Sequence, residues 1–270
     1  MSWRDRESAP FTQEVWNAID EVVRASAEEV RAARRVVEVI GPLGFGARAG
    51  VAEDRPAAPS DEGGVPHVHL PSTQGLPVIH RAFAIGARSV EAFLARSEPL
   101  DLTEAAEAAR QVARLEERLL VDGNAAAGVR GLLDQQGAVE LSAGDWSDPG
   151  RAGDDLLAAL ARLDEAGRHG PYAAAVSPSH YYQLLRPHPT SGVTPLEQLR
   201  PAFAGGIFKS PTLRNHALVV TRSASGPRAV VGQDLTAAYD GREGIFHRLS
   251  LVESITLMPG VAGSVAVLRG

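Results

Sequence analysis

The sequence predicts an α+β fold, in which helices and strands come in blocks and do not alternate regularly. Two observations predict this class. Residues 12–34 and 101–123 carry apolar residues at helical spacing over several turns. The second half of the chain contains short runs rich in valine, isoleucine and alanine, separated by glycine, proline and polar residues, as is typical of strands.

The composition limits the classes of function. The chain has 270 residues, 44% of them hydrophobic and 22% charged, close to the average globular protein. It has no cysteine, which excludes disulfide scaffolds, cysteine nucleophiles and thiolate-bound metals. The formal net charge of −6 argues against a general nucleic-acid binder, and no apolar run is long enough to span a membrane. We therefore expect no nucleic-acid or membrane partner, no secretory signal and a cytoplasmic location.

The N-terminal segment is predicted to form one amphipathic helix over residues 12–34, beginning at Thr12, a residue type favoured at the N-cap. One face of this helix is apolar. Its members are Val15, Trp16, Ile19, Val22, Val23, Ala27 and Val30. This face either packs on the core or binds a partner. The run from Val36 to Ile40 predicts the first strand, which Gly41 and Pro42 end.

Residues 43–85 are predicted to form a long two-stranded arm. Residues 50–66 are rich in proline, acidic residues, glycine and alanine, which predicts a mobile excursion, and extended patterns resume at Val68–Leu70 and Leu76–Ile85. An arm of this kind needs a cover for its apolar residues, which a monomer does not supply.

Further helices are predicted over 101–123, 153–166, 178–185 and from 195 towards 203. Asp101 and Glu104 resemble a capping box, and Ser177 before Pro178 is an N-cap followed by proline at the first helical position. The two longer helices are expected to bury Ala105, Ala108, Val112, Leu115, Leu119, Leu120, Leu156, Leu157, Leu160 and Leu163. Extended segments are predicted at Tyr172–Val176, Ile207–Lys209, Ala217–Thr221, Arg228–Val231, His247–Met258 and Ser264–Leu268.

Signals for catalysis or metal binding are weak. Acidic pairs such as Glu116-Glu117 are predicted on helices, where adjacent side chains point about 100° apart, so we expect solvated faces and no catalytic dyad. His67 and His69 would point to one face of a strand and begin a zinc or copper site, but no further ligand can be named. No nucleotide-binding, zinc-protease or serine-hydrolase motif is present. We therefore expect no enzyme and no metal site.

Several stretches together resemble the encapsulins, the bacterial and archaeal nanocompartment shell proteins that are related to tailed-phage major capsid proteins. Trp16, Ile19 and Asp20 match a W-x-x-I-D pattern in the N-terminal helix, and Gly170-Pro171-Tyr172 precedes a strand as in that family. The strongest match runs from Val231 to Tyr239, V-G-Q-D-L-T-A-A-Y.

The resemblance implies a phage-capsid-like α+β fold in four parts. These parts are an N-terminal helix and first strand in 1–42, an extended E-loop arm in 43–85, a peripheral P-domain in 86–129 and 226–270, and an axial A-domain in 130–225. In the family, the E-loop reaches across a neighbouring subunit.

The resemblance also implies a structural function. Copies of the chain would self-assemble into an icosahedral shell enclosing a cargo enzyme, such as a dye-decolourising peroxidase or ferritin-like protein, through the cargo's C-terminal targeting peptide. The family's cargo groove maps to Val23, Ala27, Val30, Arg34, Asp234, Leu235 and Tyr239. The five-fold pore maps to the proline-rich loop 186–194, with Pro187, His188, Pro189, Thr190, Ser191 and Gly192 as lining residues. Alternatively, the groove residues merely pack the helix onto the sheet.

The sequence differs from the encapsulin family in two places, and two other functions stay open. Some family members stack a flavin on a tryptophan just after the E-loop, but Ala87-Arg88-Ser89-Val90 has no aromatic residue, so no flavin or other cofactor is expected. The pore loop is unusually rich in proline, so pore size does not carry over. The alternatives are a prophage major capsid protein that packages DNA and a free hydrolase or peptidase.

Overall fold

The computed structural model describes residues 4–56, 69–148 and 150–270. Its seven α-helices in these residues are α1 Gln13–Glu28, α2 Ala33–Val36, α3 Ala87–Arg96, α4 Thr103–Val121, α5 Arg151–Glu165, α6 Pro178–Leu184 and α7 Pro195–Leu199. The strands of the first half are β1 Glu38–Ile40, β2 Ala49–Pro56, β3 His69–Gly75, β4 Val78–Gly86, β5 Gly123–Asn124 and β6 Val129–Arg130. Those of the second half are β7 Val139–Ser142, β8 Tyr172–Val176, β9 Ile207–Lys209, β10 His216–Thr221, β11 Arg228–Glu243, β12 Phe246–Met258 and β13 Val265–Arg269.

Two sheets organise the described chain. A four-stranded sheet has the order β1-β11-β12-β4, and a five-stranded sheet has the order β7-β13-β10-β8-β9. β11 and β12 form a long antiparallel hairpin, while β1 adds to β11 in parallel. Helix α4 packs against β4, β12 and α1, and alanines at Ala105, Ala108 and Ala109 are buried on it, which lets these elements approach closely.

The three central strands of the five-stranded sheet, β13, β10 and β8, are buried on both faces. In β8, Ala173 and Ala175 face the main core, while Ala174 and Val176 face a second core formed with α5, α6 and α7. The same alternation holds in β10 and β13, because successive side chains of a strand point to opposite faces. This sheet therefore links the two cores.

The N-terminal helix is shorter than predicted. α1 ends at Glu28, and a separate short helix α2 begins at Ala33. The break has a tertiary cause: one carboxylate oxygen of Glu117 on α4 accepts hydrogen bonds from the backbone N–H groups of Ala32 and Ala33, at 2.9 and 2.8 Å. This carboxylate caps the new helix and stops the first one from continuing.

The strands of residues 43–85 do not all pair with one another, as the predicted arm required. β2 and β3 form the two-stranded arm, but β4 pairs with β12 in the four-stranded sheet, so the arm is shorter than residues 43–85. At the other end of the chain, β13 pairs with β10 and β7, so this strand belongs to the sheet of the 130–225 segment and not with β11 and β12. Its apolar residues Val265–Leu268 are all buried, and they face the main core and the second core alternately. The division into four parts otherwise stays a prediction, and His67 lies outside the described residues.

Helix details also differ. The capping box predicted for Asp101 and Glu104 is wrong. α4 begins at Thr103, and the Asp101 carboxylate accepts hydrogen bonds from the Thr103 backbone N–H and hydroxyl. The Glu104 carboxylate instead accepts from the Ala84 N–H of β4. Leu115 and Leu157 are exposed. Helix α3 was not predicted, and β11 continues far beyond the predicted end at Val231.

Candidate functional site

A groove lies where helix α1 meets strand β11 of the four-stranded sheet. It has a volume of about 630 Å³ and contains three of the predicted cargo-binding residues: Val23 of α1 and Asp234 and Leu235 of β11. Its other lining residues are mostly charged or polar. They are Arg4, Arg6, Asn17, Asp20, Glu21, Arg24, Arg31 and Thr236.

An irregularity in β11 turns Asp234 and Leu235 towards this groove. The register with β12 shifts between Gln233 and Thr236, so the residues between them leave the regular ladder. The Thr236 hydroxyl and the Gln233 side-chain amide both donate to the Asp234 carbonyl, at 2.7 and 2.9 Å. Asp234 is consequently exposed and Leu235 half-buried within an otherwise buried strand. Bulges commonly re-aim side chains in this way.

Two predicted groove residues are packing residues instead. Ala27 is fully buried and does not line the groove, and Tyr239 is 8% exposed. The Tyr239 ring lies edge-on to Phe11, with ring centroids 5.8 Å apart, and its hydroxyl is 3.3 Å from His247 Nδ1. For these two residues the structure favours the alternative interpretation, in which they pack the N-terminal segment onto the sheet.

Val30, also predicted to bind cargo, does not line the groove that contains Val23, Asp234 and Leu235. It follows the end of α1 and lines a second cavity, together with residues of α4 and the segment before β10. The chain turns between Glu28 and Ala33, which separates Val30 from the face that carries Val23.

Arg34 belongs to a buried ionic cluster formed by Arg31, Arg34, Glu116 and Glu253. Arg31 donates to Glu116 and Glu253 at 2.5 and 2.7 Å, and Arg34 forms ion pairs with the same two carboxylates. The carboxylates are 1% and 0% exposed. Arg34 also reaches Asp234 at 3.0 Å, so the cluster extends to the edge of the groove. Arg34 and Asp234, both predicted as cargo-groove residues, are therefore already paired with each other.

Burial is the largest influence on the Glu253 carboxyl group of this cluster. It raises the pKa of Glu253 to about 8, and repulsion from Glu116 acts in the same direction, while Arg31 and Arg34 act against it. Burial also raises the pKa of Glu117. At Asp234 burial is outweighed, because the Arg34 guanidinium lowers the pKa of this carboxylate. The groove edge therefore carries an ionised aspartate at neutral pH.

This cluster was not predicted from the sequence, because Glu116 and Glu117 were expected on solvated faces. Both are 1% exposed. A signal was present, since Glu116 lies four residues after Val112 and four before Leu120, in the middle of the apolar stripe. The arginine partners carried no such signal.

The predicted pore loop connects α6 to α7 and is closed by backbone hydrogen bonds. The His188 N–H donates to the Val193 carbonyl at 2.9 Å, and the Gly192 N–H donates to the His188 carbonyl at 2.8 Å. His188 is half-buried, whereas the other predicted lining residues are exposed. Immediately after the loop, Thr194 and Glu197 form a capping box that starts α7.

The described residues contain neither a metal-binding cluster nor a membrane-spanning helix. Within residues 4–56, 69–148 and 150–270, no three His, Asp or Glu side chains are close enough to hold a metal ion. None of the helices in these ranges is long and apolar enough to cross a membrane.

Comparison with known families gives a match over most of the chain. Residues 1–256 match the linocin M18 family, described as encapsulating protein for peroxidase. The type 1 encapsulin shell protein EncA of Myxococcus xanthus is 30% identical, over 97% of this chain and 94% of that protein. A type 1 encapsulin shell protein of Rhodospirillum rubrum is 29% identical, over 93% of this chain and 90% of that protein.

Solved structures agree on the fold. A virus-like particle from Pyrococcus furiosus matches with a TM-score of 0.74 at 22% identity, covering 95% of this chain and all of that one. The capsid of the myovirus XM1 matches with a TM-score of 0.59 at 13% identity, over 87% of this chain and 89% of that one. This chain therefore resembles the phage capsid protein in fold, whereas the proteins reported above that it matches in sequence are encapsulins.

These findings favour the encapsulin interpretation over the prophage and hydrolase alternatives. They also confirm the capsid-like α+β fold predicted from the sequence. The chain belongs to the encapsulin family of shell proteins, which are structural, capsid-like proteins and not enzymes.

Proposed function

We propose that copies of this chain assemble into a closed icosahedral compartment in the cytoplasm that encloses a cargo enzyme. The observation that carries the proposal is the likeness to encapsulin shell proteins over nearly the whole chain, in both sequence and fold. Closed symmetry fixes the copy number at sixty or a related multiple.

Exposed apolar side chains near the base of the arm support self-assembly. Val39, Leu43 and Val51 are 47%, 51% and 68% exposed. Apolar surface of this kind is costly in water and is typical of contact surfaces. A neighbouring copy, reached by the arm, would cover it.

The groove between α1 and β11 supports cargo binding. Leu235 supplies apolar surface for a peptide side chain beside Val23, which is itself only 3% exposed. Asp234 offers an ionised acceptor for a peptide N–H or a basic side chain. Arg34 holds Asp234 in position and does not itself contact the peptide.

The class of cargo is suggested by the relatives. The family is described as encapsulating protein for peroxidase. A Kuenenia stuttgartiensis relative is a diheme-cytochrome–encapsulin fusion, and a Pyrococcus furiosus relative is a ferritin-like–encapsulin fusion. We accordingly expect a dye-decolourising peroxidase or a ferritin-like protein. The Pro187–Gly192 loop would line the five-fold pore.

Electron microscopy of the purified protein, with mass spectrometry of co-purifying proteins, tests the proposal. Uniform hollow icosahedra are expected, with a co-purifying enzyme as cargo. A small homogeneous oligomer under mild native conditions would overturn it.

The groove is tested separately by Leu235→Asp. The charge replaces an apolar contact, so shells are expected to form while cargo loading, measured as the cargo-to-shell ratio, is lost. Leu185→Asp, an exposed position outside the groove, is the matched control. Normal loading by Leu235→Asp would remove the groove from the proposal.

Val30→Asp tests whether the peptide also continues around the end of α1. Loss of cargo from intact shells would keep Val30 in the site. Unchanged loading would confine the site to the groove that contains Val23.

A further inference from the structure

A second cavity lies at the end of α1, beside α4 and the segment that leads into β10. It has a volume of about 810 Å³. Its lining residues are Val30, Arg114, Arg118, Asp122, Leu133, Pro211, Thr212, Arg214 and His216.

The cavity concentrates positive charge in an acidic protein. It contains three guanidinium groups and one carboxylate, a net charge of two positive units when His216 is neutral, whereas the whole chain has a formal charge of −6. The three arginines come from two separate segments, since Arg114 and Arg118 are one turn apart on α4 and Arg214 precedes β10.

The Asp122 carboxylate in the same cavity balances only part of the charge of these arginines. In the part of the chain that the structure describes, the side chains of Arg118 and Arg214 form neither a hydrogen bond nor an ion pair within 4.0 Å, although both attract the Asp122 carboxylate electrostatically. Arg114 has a single 3.4 Å contact with Glu107 on the exposed surface. The Nδ1 atom of His216 is buried and has no hydrogen-bond partner among the described residues.

Helix termini explain only part of this charge. Arg118 lies in the last turn of α4, where a cation interacts favourably with the free carbonyl groups. Arg114 lies a turn earlier, and Arg214 and His216 are not on this helix. The convergence of these groups on one cavity therefore needs another explanation.

We infer that this cavity binds a small multivalent oxyanion of the phosphate class. Guanidinium groups donate in a fixed fork geometry that matches the oxygens of phosphate. A phosphate group of charge near −2 balances the charge of the lining, and its several acceptor oxygens can be contacted from α4 and from the Arg214 segment together. The Thr212 hydroxyl is a further donor in the wall.

Titration of the purified full-length protein with inorganic phosphate, by isothermal calorimetry in a phosphate-free buffer, tests the inference. About one phosphate per chain is expected to bind. The double variant Arg118→Gln/Arg214→Gln is expected to weaken binding at least about tenfold, because two charge-assisted donors are lost. Arg200→Gln, which removes an exposed arginine outside the cavity, is the matched control and is expected to bind like the unchanged protein.

Absence of phosphate binding, or equal binding by the double variant, would overturn the inference. A short single-stranded oligonucleotide is titrated in parallel. Oligonucleotide binding that is much tighter than phosphate binding and is lost in the double variant would identify a nucleic-acid surface instead. Particle formation is monitored in each sample, so failure to bind phosphate is separable from failure to form shells.

Discussion

The residues of the ionic cluster are buried ionisable groups that depend on one another. Glu116 and Glu253 have almost no exposed surface, and Arg31 and Arg34 each contact both of them. Removing charges from water is costly, so a cluster of this kind is stable only while every member keeps its partners. It joins the turn after α1 to α4 and β12, and through Arg34 it reaches the candidate groove.

Arg34→Ala is expected to destabilise the fold by about 3 kcal/mol, because it leaves two buried carboxylates with only one arginine. Urea denaturation gives the free energy of unfolding. Arg24→Ala, at an exposed position of α1, is the control and should change it by less than about 0.5 kcal/mol. If the two variants changed the free energy of unfolding equally, the ionic cluster would not stabilise the fold more than an exposed arginine does.

Glu253 predicts a dependence of stability on pH. Its pKa in the folded protein is about 8, above the ordinary 4.5 of a glutamate, so the folded state retains a proton that the unfolded chain releases. Its contribution is therefore complete below pH 4.5 and is lost as the pH rises through 8. The lowered pKa of Asp234 acts only below about pH 4, outside this window.

Thermal unfolding is measured from pH 5 to pH 9, and the melting temperature of the unchanged protein is expected to fall relative to that of Glu253→Gln as the pH rises. Glu253→Gln removes the titrating group, so its profile should be flatter over the same range. If the melting temperatures of the two proteins changed with pH in parallel, ionisable groups other than Glu253 would cause the pH dependence.

At the scale of elements, side-chain caps decide where several helices begin. The Thr194 hydroxyl accepts from the Glu197 N–H at 3.2 Å, and the Glu197 carboxylate accepts from the Thr194 N–H at 3.1 Å. This box begins α7 directly after the candidate pore loop. Thr12 also occupies an N-cap position, before α1, but its side chain forms no capping hydrogen bond.

Thr194→Ala is expected to destabilise the protein by about 1 kcal/mol and to speed amide hydrogen exchange at the start of α7. Thr12→Ala is the matched control, and a smaller loss is expected because no capping bond is removed. Denaturation and hydrogen-exchange mass spectrometry give both quantities. A larger loss at Thr12 would contradict the assignment of the two caps.

At the scale of the whole molecule, the chain leaves apolar surface where the arm meets the four-stranded sheet. Val51 is the most exposed of these residues, and it lies in β2 of the arm. Because an exposed side chain contributes little to the fold of the single chain, assembly and folding are separable at this position.

Val51→Asp is expected to prevent shell formation while leaving the circular dichroism spectrum and the cooperative unfolding of the chain unchanged. The charge would be buried without a partner in the contact between copies. Leu157→Asp, at an exposed position of α5, is the comparison. Normal shells from Val51→Asp would place the contact elsewhere.

Local patterns in the sequence were sufficient for much of this protein. The periodicity of residues 103–121, the cap and proline at Ser177-Pro178 and the buried run Tyr172–Val176 all correspond to observed elements. The Val231–Tyr239 motif indicated the family, and the comparisons confirm it. These signals depend on neighbours within one or two turns or along one strand, so they can be read without a structure.

Only the tertiary structure decided which distant residues meet. Arg31 and Glu116 are 85 positions apart, and Arg31 and Glu253 are 222 apart, so no local pattern links them. The same holds for the placement of β13, for the end of α1 imposed by Glu117, and for the separation of Val23 from Val30 into two cavities. Periodicity determines which side of an element is buried, but the partner on the other side of the contact is determined by how the chain folds back on itself.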